Sequence, residues 1–185
     1  MTSSGPPPAS DRRGSVHELR WSMRASFFHY VAGLRDGRAS VSDGASLIMD
    51  DPQLVVYPAD PERTTDQVLA FGGDLRLGGH GGLLFVRLAR PRITVGATER
   101  EPAVLSVNDP MTPDKPLSQD DRPTQDGRPS QNGAGRRLDL VTLRLVPTLD
   151  GWAGVDVRLT EAGVGLFNNV YAAGAPFDPL TITRR

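Results

Sequence analysis

With no cysteine and only three histidines the classical site residues are scarce, and two features stand out. One is the run Ser26-Phe27-Phe28-His29-Tyr30; the other is His80, alone between Gly78-Gly79 and Gly81-Gly82. There is no cysteine, which removes disulfides, thiolate metal sites and cysteine nucleophiles together. The three histidines, His17, His29 and His80, have no spacing that matches a zinc ligand set. No Gly-x-Ser-x-Gly elbow and no Walker-type phosphate loop is present. The glycines around His80 lie between two strand-like runs, so a hairpin turn is predicted there rather than a helix-starting anion site. A histidine at the tip of such a turn is little crowded and can be offered to a ligand, although spacing alone favours a solvated side chain. Tyr30 on an aromatic helix face fits either a ligand or a core residue with its hydroxyl at the rim. His29 points about 100° away from Tyr30 around a helix, so the two cannot serve one ligand from the same face. Residue types alone leave the function open.

The elements that must position these residues begin at Ser15. Ser15 and Glu18 have capping-box spacing, which would start a helix early; a second reading ends a strand at Leu19–Trp21 and starts the helix at Ser22. Trp21, Phe27, Phe28, Tyr30, Val31 and Leu34 are spaced as on a helix, with Gly33 or Gly37 to end it. In both readings Ser26 and Tyr30 share one helical face. From Arg38 to Val107 the pattern is β, with runs at Ser46–Met49, Gln53–Tyr57, Val68–Leu77, Leu83–Ala89, Arg92–Ala97 and Ala103–Val107. The run Leu83–Ala89 is largely apolar on both faces. Hairpin connections fit best, because no helical stretch is long enough for repeated parallel crossovers.

Between Thr112 and Arg137 the only large apolar residue is Leu117, too little to offset the entropy of ordering. Residues 112–137 are therefore predicted to be a disordered insertion between two strands, and residues 1–14 a disordered tail. Strands follow at Leu138–Val146 and Trp152–Arg158. A helix is then predicted with Thr160 as N-cap, Glu161 in its first turn and Gly174 near its end, burying Val164, Leu166, Phe167, Val170 and Tyr171. Asp178-Pro179 makes a turn before a last strand, Leu180–Thr183. The expected fold is one α+β domain over residues 15–185, an antiparallel, β-rich, sandwich-like structure with two helices.

Composition narrows the class further. Hydrophobic residues are 38% of the chain, and the deficit sits with 20 Gly and 16 Pro, many of them in the tail and the middle. A formal net charge of -1 gives no support to nucleic-acid or other polyanion binding. Lys115 is the only lysine among 21 basic residues, a usage typical of GC-rich genomes. Residues 1–14 hold no apolar run, and no stretch approaches the roughly 20 apolar residues of a membrane span. The expectation is a soluble, cytoplasmic protein without membrane insertion.

Three ordered motifs resemble the HtaA-type haem-binding domain of actinobacterial haem uptake. Leu19-Arg20-Trp21 through Ser26-Phe27-Phe28-His29-Tyr30-Val31 matches that family's Leu-x-Trp-x-x-x-x-Ser-Phe-x-x-Tyr opening. Phe71-Gly72-Gly73 with Gly79-His80-Gly81-Gly82 and Arg90-Pro91-Arg92 matches its Phe-x-Gly strand, Gly-His turn and following strand. Leu159-Thr160-Glu161-Ala162-Gly163 and Asp178-Pro179-Leu180-Thr181 match its closing helix and strand. The resemblance implies a β-rich domain holding one ferric haem (haem b), with Tyr30 as axial ligand and His80 hydrogen-bonded to it. It places Ser26 near the haem edge or a propionate, and it favours the strand-then-helix reading of Leu19–Ser22. Phe27, Phe28 and Phe71 would contribute apolar cover. A phenol of pKa about 10 becomes a ligand only when a hard cation and a nearby donor favour the phenolate, and Fe(III) with a histidine N–H supplies both. An anionic oxygen ligand in turn favours the ferric state.

The function expected from this resemblance is a haem carrier or buffer, its partners being haem and a haem donor or acceptor protein. Exported family members make the cell surface the alternative location. Two rivals belong to other classes: a haem enzyme for oxidative or N–O chemistry, and a haem-free β-sandwich interaction module. No distal acid or base can be named for the first rival, and the joint presence of Ser26, Tyr30 and His80 argues against the second.

Overall fold

The structure, a computed structural model, describes residues 16–50, 52–98, 101–111 and 136–184. The predicted tail over 1–14 lies outside the described residues, as does the predicted insertion apart from Arg136 and Arg137. Among the described residues the chain runs β1 (Val16–Trp21), α1 (Ala25–Gly33), β2 (Arg38–Ser42), β3 (Ser46–Ile48), β4 (Leu54–Pro58), β5 (Val68–Ala70) and β6 (Asp74–Gly79). A single 3-10 turn, His80–Gly82, leads to β7 (Leu84–Ala89), β8 (Arg92–Thr94), β9 (Ala103–Asn108), β10 (Arg137–Thr148) and β11 (Gly151–Leu159). The short helix α2 (Glu161–Val164), a 3-10 turn (Gly165–Phe167) and β12 (Leu180–Arg184) close the chain.

Two antiparallel sheets result, a nine-stranded one in the order β3-β4-β1-β12-β11-β10-β9-β8-β5 and a three-stranded one in the order β2-β6-β7. The first and last strands pair within the large sheet, with Leu19 opposite Ile182 and Trp21 opposite Leu180. Strands β9 and β10, which flank the predicted insertion, pair with Arg137 opposite Asn108. One continuous core runs between the two sheets, joining Leu75, Leu77, Val86 and Leu88 of the small sheet to Leu19, Val55, Ile93, Leu105 and Leu143 of the large one. The α+β, antiparallel, sandwich-like reading is what the chain adopts. No described helix is long and apolar enough to cross a membrane.

Four expectations need correction. The capping box at Ser15 and Glu18 starts no helix, because Val16–Trp21 is a strand and α1 begins only at Ala25, not Ser22. The single run Val68–Leu77 is two strands in different sheets. Gly72 and Gly73 make the break: Gly72 N–H donates to Pro58 O at 2.8 Å, and Gly73 has φ +97 with a Cβ there falling 2.7 Å from Ala45 Cβ. The strand Arg38–Ser42 was absent from the predicted runs, since its side chains are mostly exposed and carry little apolar signal. The closing helix stops far short of Gly174: after Phe167 both Asn168 and Asn169 take positive φ, and Val170 is 68% exposed rather than buried. Asparagine tolerates the left-handed region better than other side chains, so the pair ends the helix. Its start agrees with the reading, Gly163 N–H donating to Thr160 Oγ1 at 3.0 Å.

Candidate functional site

Helix α1 carries Tyr30, and what holds the helix comes from far along the chain. Its N-cap residue, Arg24, makes no side-chain capping bond. Instead Asp178 Oδ2 accepts from the Ala25 N–H at 2.7 Å and from the Ser22 hydroxyl at 3.0 Å. Trp21 Nε1 donates to Asp178 O at 2.8 Å, and the Asp178 N–H donates to Met23 O at 2.8 Å. A carboxylate at a helix N-terminus satisfies orphan amides and meets the positive end of the helix dipole. The inner face of α1, with Phe27, Phe28 and Val31 buried, then locks into an aromatic cluster. Phe27 lies 5.4 Å from Phe167 and 6.3 Å from Tyr171, and Phe167 lies 5.2 Å from Phe177, centroid to centroid. The closing segment of the chain therefore sets where the opening helix stands.

The outer face of α1 presents Ser26 and Tyr30, the latter 49% exposed. Tyr30 Oη is joined by a hydrogen bond to His80 Nε2, across 50 residues of sequence. The expected pair therefore meets in the folded chain. His80 sits at positive φ in the turn between β6 and β7, followed by Gly81 and Gly82 at φ +65 and +96. Asp36 holds that turn: its Oδ1 accepts the His80 N–H at 3.1 Å and its Oδ2 the Gly81 N–H at 2.6 Å. These amides, Gly81 first, keep the Asp36 carboxyl below the ordinary carboxylate range. Gly79 lets the exit of α1 approach, since a Cβ there would fall 2.6 Å from Leu34 Cδ1.

Ser26 Oγ accepts from Arg24 Nε at 3.2 Å, and the Arg24 guanidinium lies 4.5 Å above the Tyr171 ring. His29 donates from Nδ1 to Ala25 O at 2.9 Å, held by its own helix and away from Tyr30. Phe27 lies 6.4 Å from the Tyr30 ring, beneath it and 3% exposed. Phe71 is not brought to this place by any contact: it is 1% exposed, forms a bridge to Ala59 and donates its N–H to Pro91 O at 3.0 Å. Among the described residues no group of three His, Cys, Asp or Glu side chains gathers to hold a metal ion.

Apolar surface around the turn comes instead from residues that were not expected at the site. Leu83, Phe85 and Val170 are 83%, 52% and 68% exposed. Leu83 closes the His80 turn, its N–H donating to His80 O at 3.2 Å, and its own O accepts from Asn168 Nδ2 at 3.0 Å, which brings the Val170 segment alongside. On the outer face of the small sheet, Arg38, Gly78 and Phe85 stand in one row across the three strands. The bare glycine between two long side chains leaves an open groove of about 370 Å³, floored by Gly78, Gly79, Gly81 and Gly82. The signal for Phe85 was present in the two-sided apolar character of its strand; only the layering shows which side stays uncovered. The sequence marks Asp178 as a turn residue and as part of the closing motif but not as a cap, although a helix start lacking any local acceptor calls for one from elsewhere.

The family model described as Htaa matches residues 17–183. No curated protein matches the sequence. Among solved structures, the N-terminal domain of HtaA from Corynebacterium glutamicum superposes with a TM-score of 0.64 at 22% identity, over 93% of this chain and 98% of that one. The haem-binding protein HtaB of the same organism gives 0.61 at 15% identity, over 92% and 94%. The C-terminal domain of HtaA gives 0.57 at 21% identity, over 92% and 97%. At these identities the likeness is one of fold.

Proposed function

The chain belongs to the HtaA family, and on that premise we propose that it binds haem and carries or buffers it, with Tyr30 as the residue that would supply an oxygen ligand to the iron and His80 the hydrogen bond that would sustain it. The observation that carries this reading is the hydrogen bond between Tyr30 Oη and His80 Nε2 on an otherwise open surface. A solved relative of similar fold is a haem-binding protein. The residues present suit the group. Ferric iron is a hard acid and takes a phenolate readily, and the planar macrocycle needs apolar neighbours, which Leu83, Phe85 and Val170 offer around the turn.

In the apoprotein a phenol can donate to a neutral imidazole nitrogen. As a ligand to the iron, Tyr30 would give up that proton to solvent, and His80, in the neutral tautomer that carries its hydrogen on Nε2, would donate to the phenolate oxygen, steadying the anion and fixing the ring. When bound, haem supplies the ferric centre and whatever redox chemistry follows. Ser26 Oγ with the Arg24 guanidinium beside it would meet a propionate at the edge of the site. A half-exposed tyrosine on an open surface suits exchange of cargo more than enclosure of a reaction, which favours a carrier over an enzyme.

The test is an absorption titration with ferric haem on the wild type, Tyr30→Phe and His80→Ala. A saturable Soret band with tyrosinate charge-transfer features is expected, abolished by Tyr30→Phe and weakened about 10–100-fold in affinity by His80→Ala. Saturable binding that survives Tyr30→Phe with unchanged spectra would reject Tyr30 as the ligand, and no binding by the wild type would reject the haem reading itself.

A further inference from the structure

The turn that offers His80 is poor in its own restraints. Gly79 and Gly81 flank His80 directly and Gly82 follows, and His80 itself holds φ +54, a region that strains a non-glycine residue. Left alone, such a segment would sample many conformations and carry the imidazole with it. Besides the His80 bond to Tyr30 and the Asn168 bond to Leu83 O, two contacts restrain it, and both come from the stretch just after α1. The Asp36 carboxylate takes the His80 and Gly81 amides on its two oxygens, and Leu34 packs against Gly79. The six residues after Tyr30 thus bring the clamp for the turn that carries its partner. Tyr30 and Asp36 are fixed to one backbone, and His80 is referred to both. Asp36 is exposed and lies outside the core, so its removal leaves the packing beneath untouched.

We propose that Asp36 is a positioning residue for the haem site: it holds the His80 imidazole against Tyr30, and retention of haem depends on it. This rests on the haem reading above, and one arm of its test does not need haem. In the apoprotein, nitrogen NMR of the His80 ring reports its hydrogen bond to Tyr30. Asp36→Ala is expected to move the Nε2 signal toward that of a free imidazole, as Tyr30→Phe does, while Asp36→Asn, which keeps one acceptor, moves it part-way. An Nε2 signal unchanged in Asp36→Ala overturns the proposal whether or not haem binds. In the second arm, haem loss to excess apomyoglobin is timed for the wild type, Asp36→Ala, His80→Ala and the double variant. Asp36→Ala is expected to lose haem about tenfold faster and to shift the tyrosinate charge-transfer band. In the His80→Ala background the same change should alter the rate less than twofold, because nothing is left to aim. An equal acceleration in both backgrounds would mean that Asp36 acts elsewhere in the groove, and the proposal falls. A wild type that binds no haem overturns the haem-retention half and the reading beneath it, while the NMR arm decides the aiming of His80 alone.

Discussion

Replacing Asp178 with alanine removes the acceptor on which the start of α1 depends, and the structure sets the size of the effect. Two donors converge on Asp178 Oδ2, the Ala25 N–H at 2.7 Å and the Ser22 hydroxyl at 3.0 Å. Losing a capping acceptor costs about 1 kcal/mol. Ser22 is only 4% exposed, so its hydroxyl would be stranded at about 1–2 kcal/mol more. Asp178→Ala should therefore destabilise the domain by about 2–3 kcal/mol, lowering the thermal midpoint by about 5–10 °C for a chain of this size. Asp178→Asn keeps an oxygen but loses its charge at the helix terminus, and should cost about half as much. Urea denaturation followed by tryptophan fluorescence measures both, since Trp21 donates to the Asp178 backbone O in either variant. A double variant, Ser22→Ala with Asp178→Ala, removes the stranded hydroxyl and should be about 1 kcal/mol more stable than the two separate losses imply. If Asp178→Ala stays within about 0.5 kcal/mol of the wild type, the cross-chain cap does not hold the helix. Strict additivity in the double variant would refute the Ser22 part of the argument.

Three further outcomes follow from other parts of the fold. Asp74, with a side chain 1% exposed, pairs with Arg87 and Arg76 at 2.8 Å each; Asp74→Asn should cost about 3 kcal/mol in urea denaturation, since two cations lose their partner at a buried oxygen. Burial, with the Asp74 charge second, raises the Tyr57 phenol above its ordinary value of 10.0. Neutral Tyr57 therefore contributes its full stabilisation below pH 10, and that contribution is lost as the pH rises beyond it, so the phenolate absorbance of Tyr57 should appear only with unfolding. In Tyr57→Phe the alkaline unfolding midpoint should move to higher pH, and an unmoved midpoint would refute the assignment. Thr160→Ala removes the acceptor for the Gly163 N–H and should lower stability by about 1 kcal/mol in the same denaturation assay.

The sequence by itself determined what depends on local pattern and on residue chemistry. Alternation and turn residues were enough for the strands Ser46–Ile48, Leu54–Pro58, Leu84–Ala89 and Gly151–Leu159 to within a residue or two, and for Thr160 as a cap. Motif order was enough to single out Tyr30 and His80. Wherever a run could continue in two ways, local pattern failed. Val68–Leu77 reads as one strand because nothing short-range says that Gly72 and Gly73 hand the chain from one sheet to the other. The closing helix reads as continuing to Gly174 because the two asparagines in left-handed backbone are visible only in space. The side on which Phe85 lies is left open, because a strand apolar on both faces cannot say which of them meets water. The tertiary structure alone decided the positions on which the site depends. Tyr30 meets His80 across 50 residues, Asp178 caps a helix 153 residues upstream of it, and Asp36 clamps a turn 44 residues ahead. Hydrogen bonds of such span are formed between elements that packing has already brought together. Their partners are therefore chosen by the fold, and no window along the chain contains both.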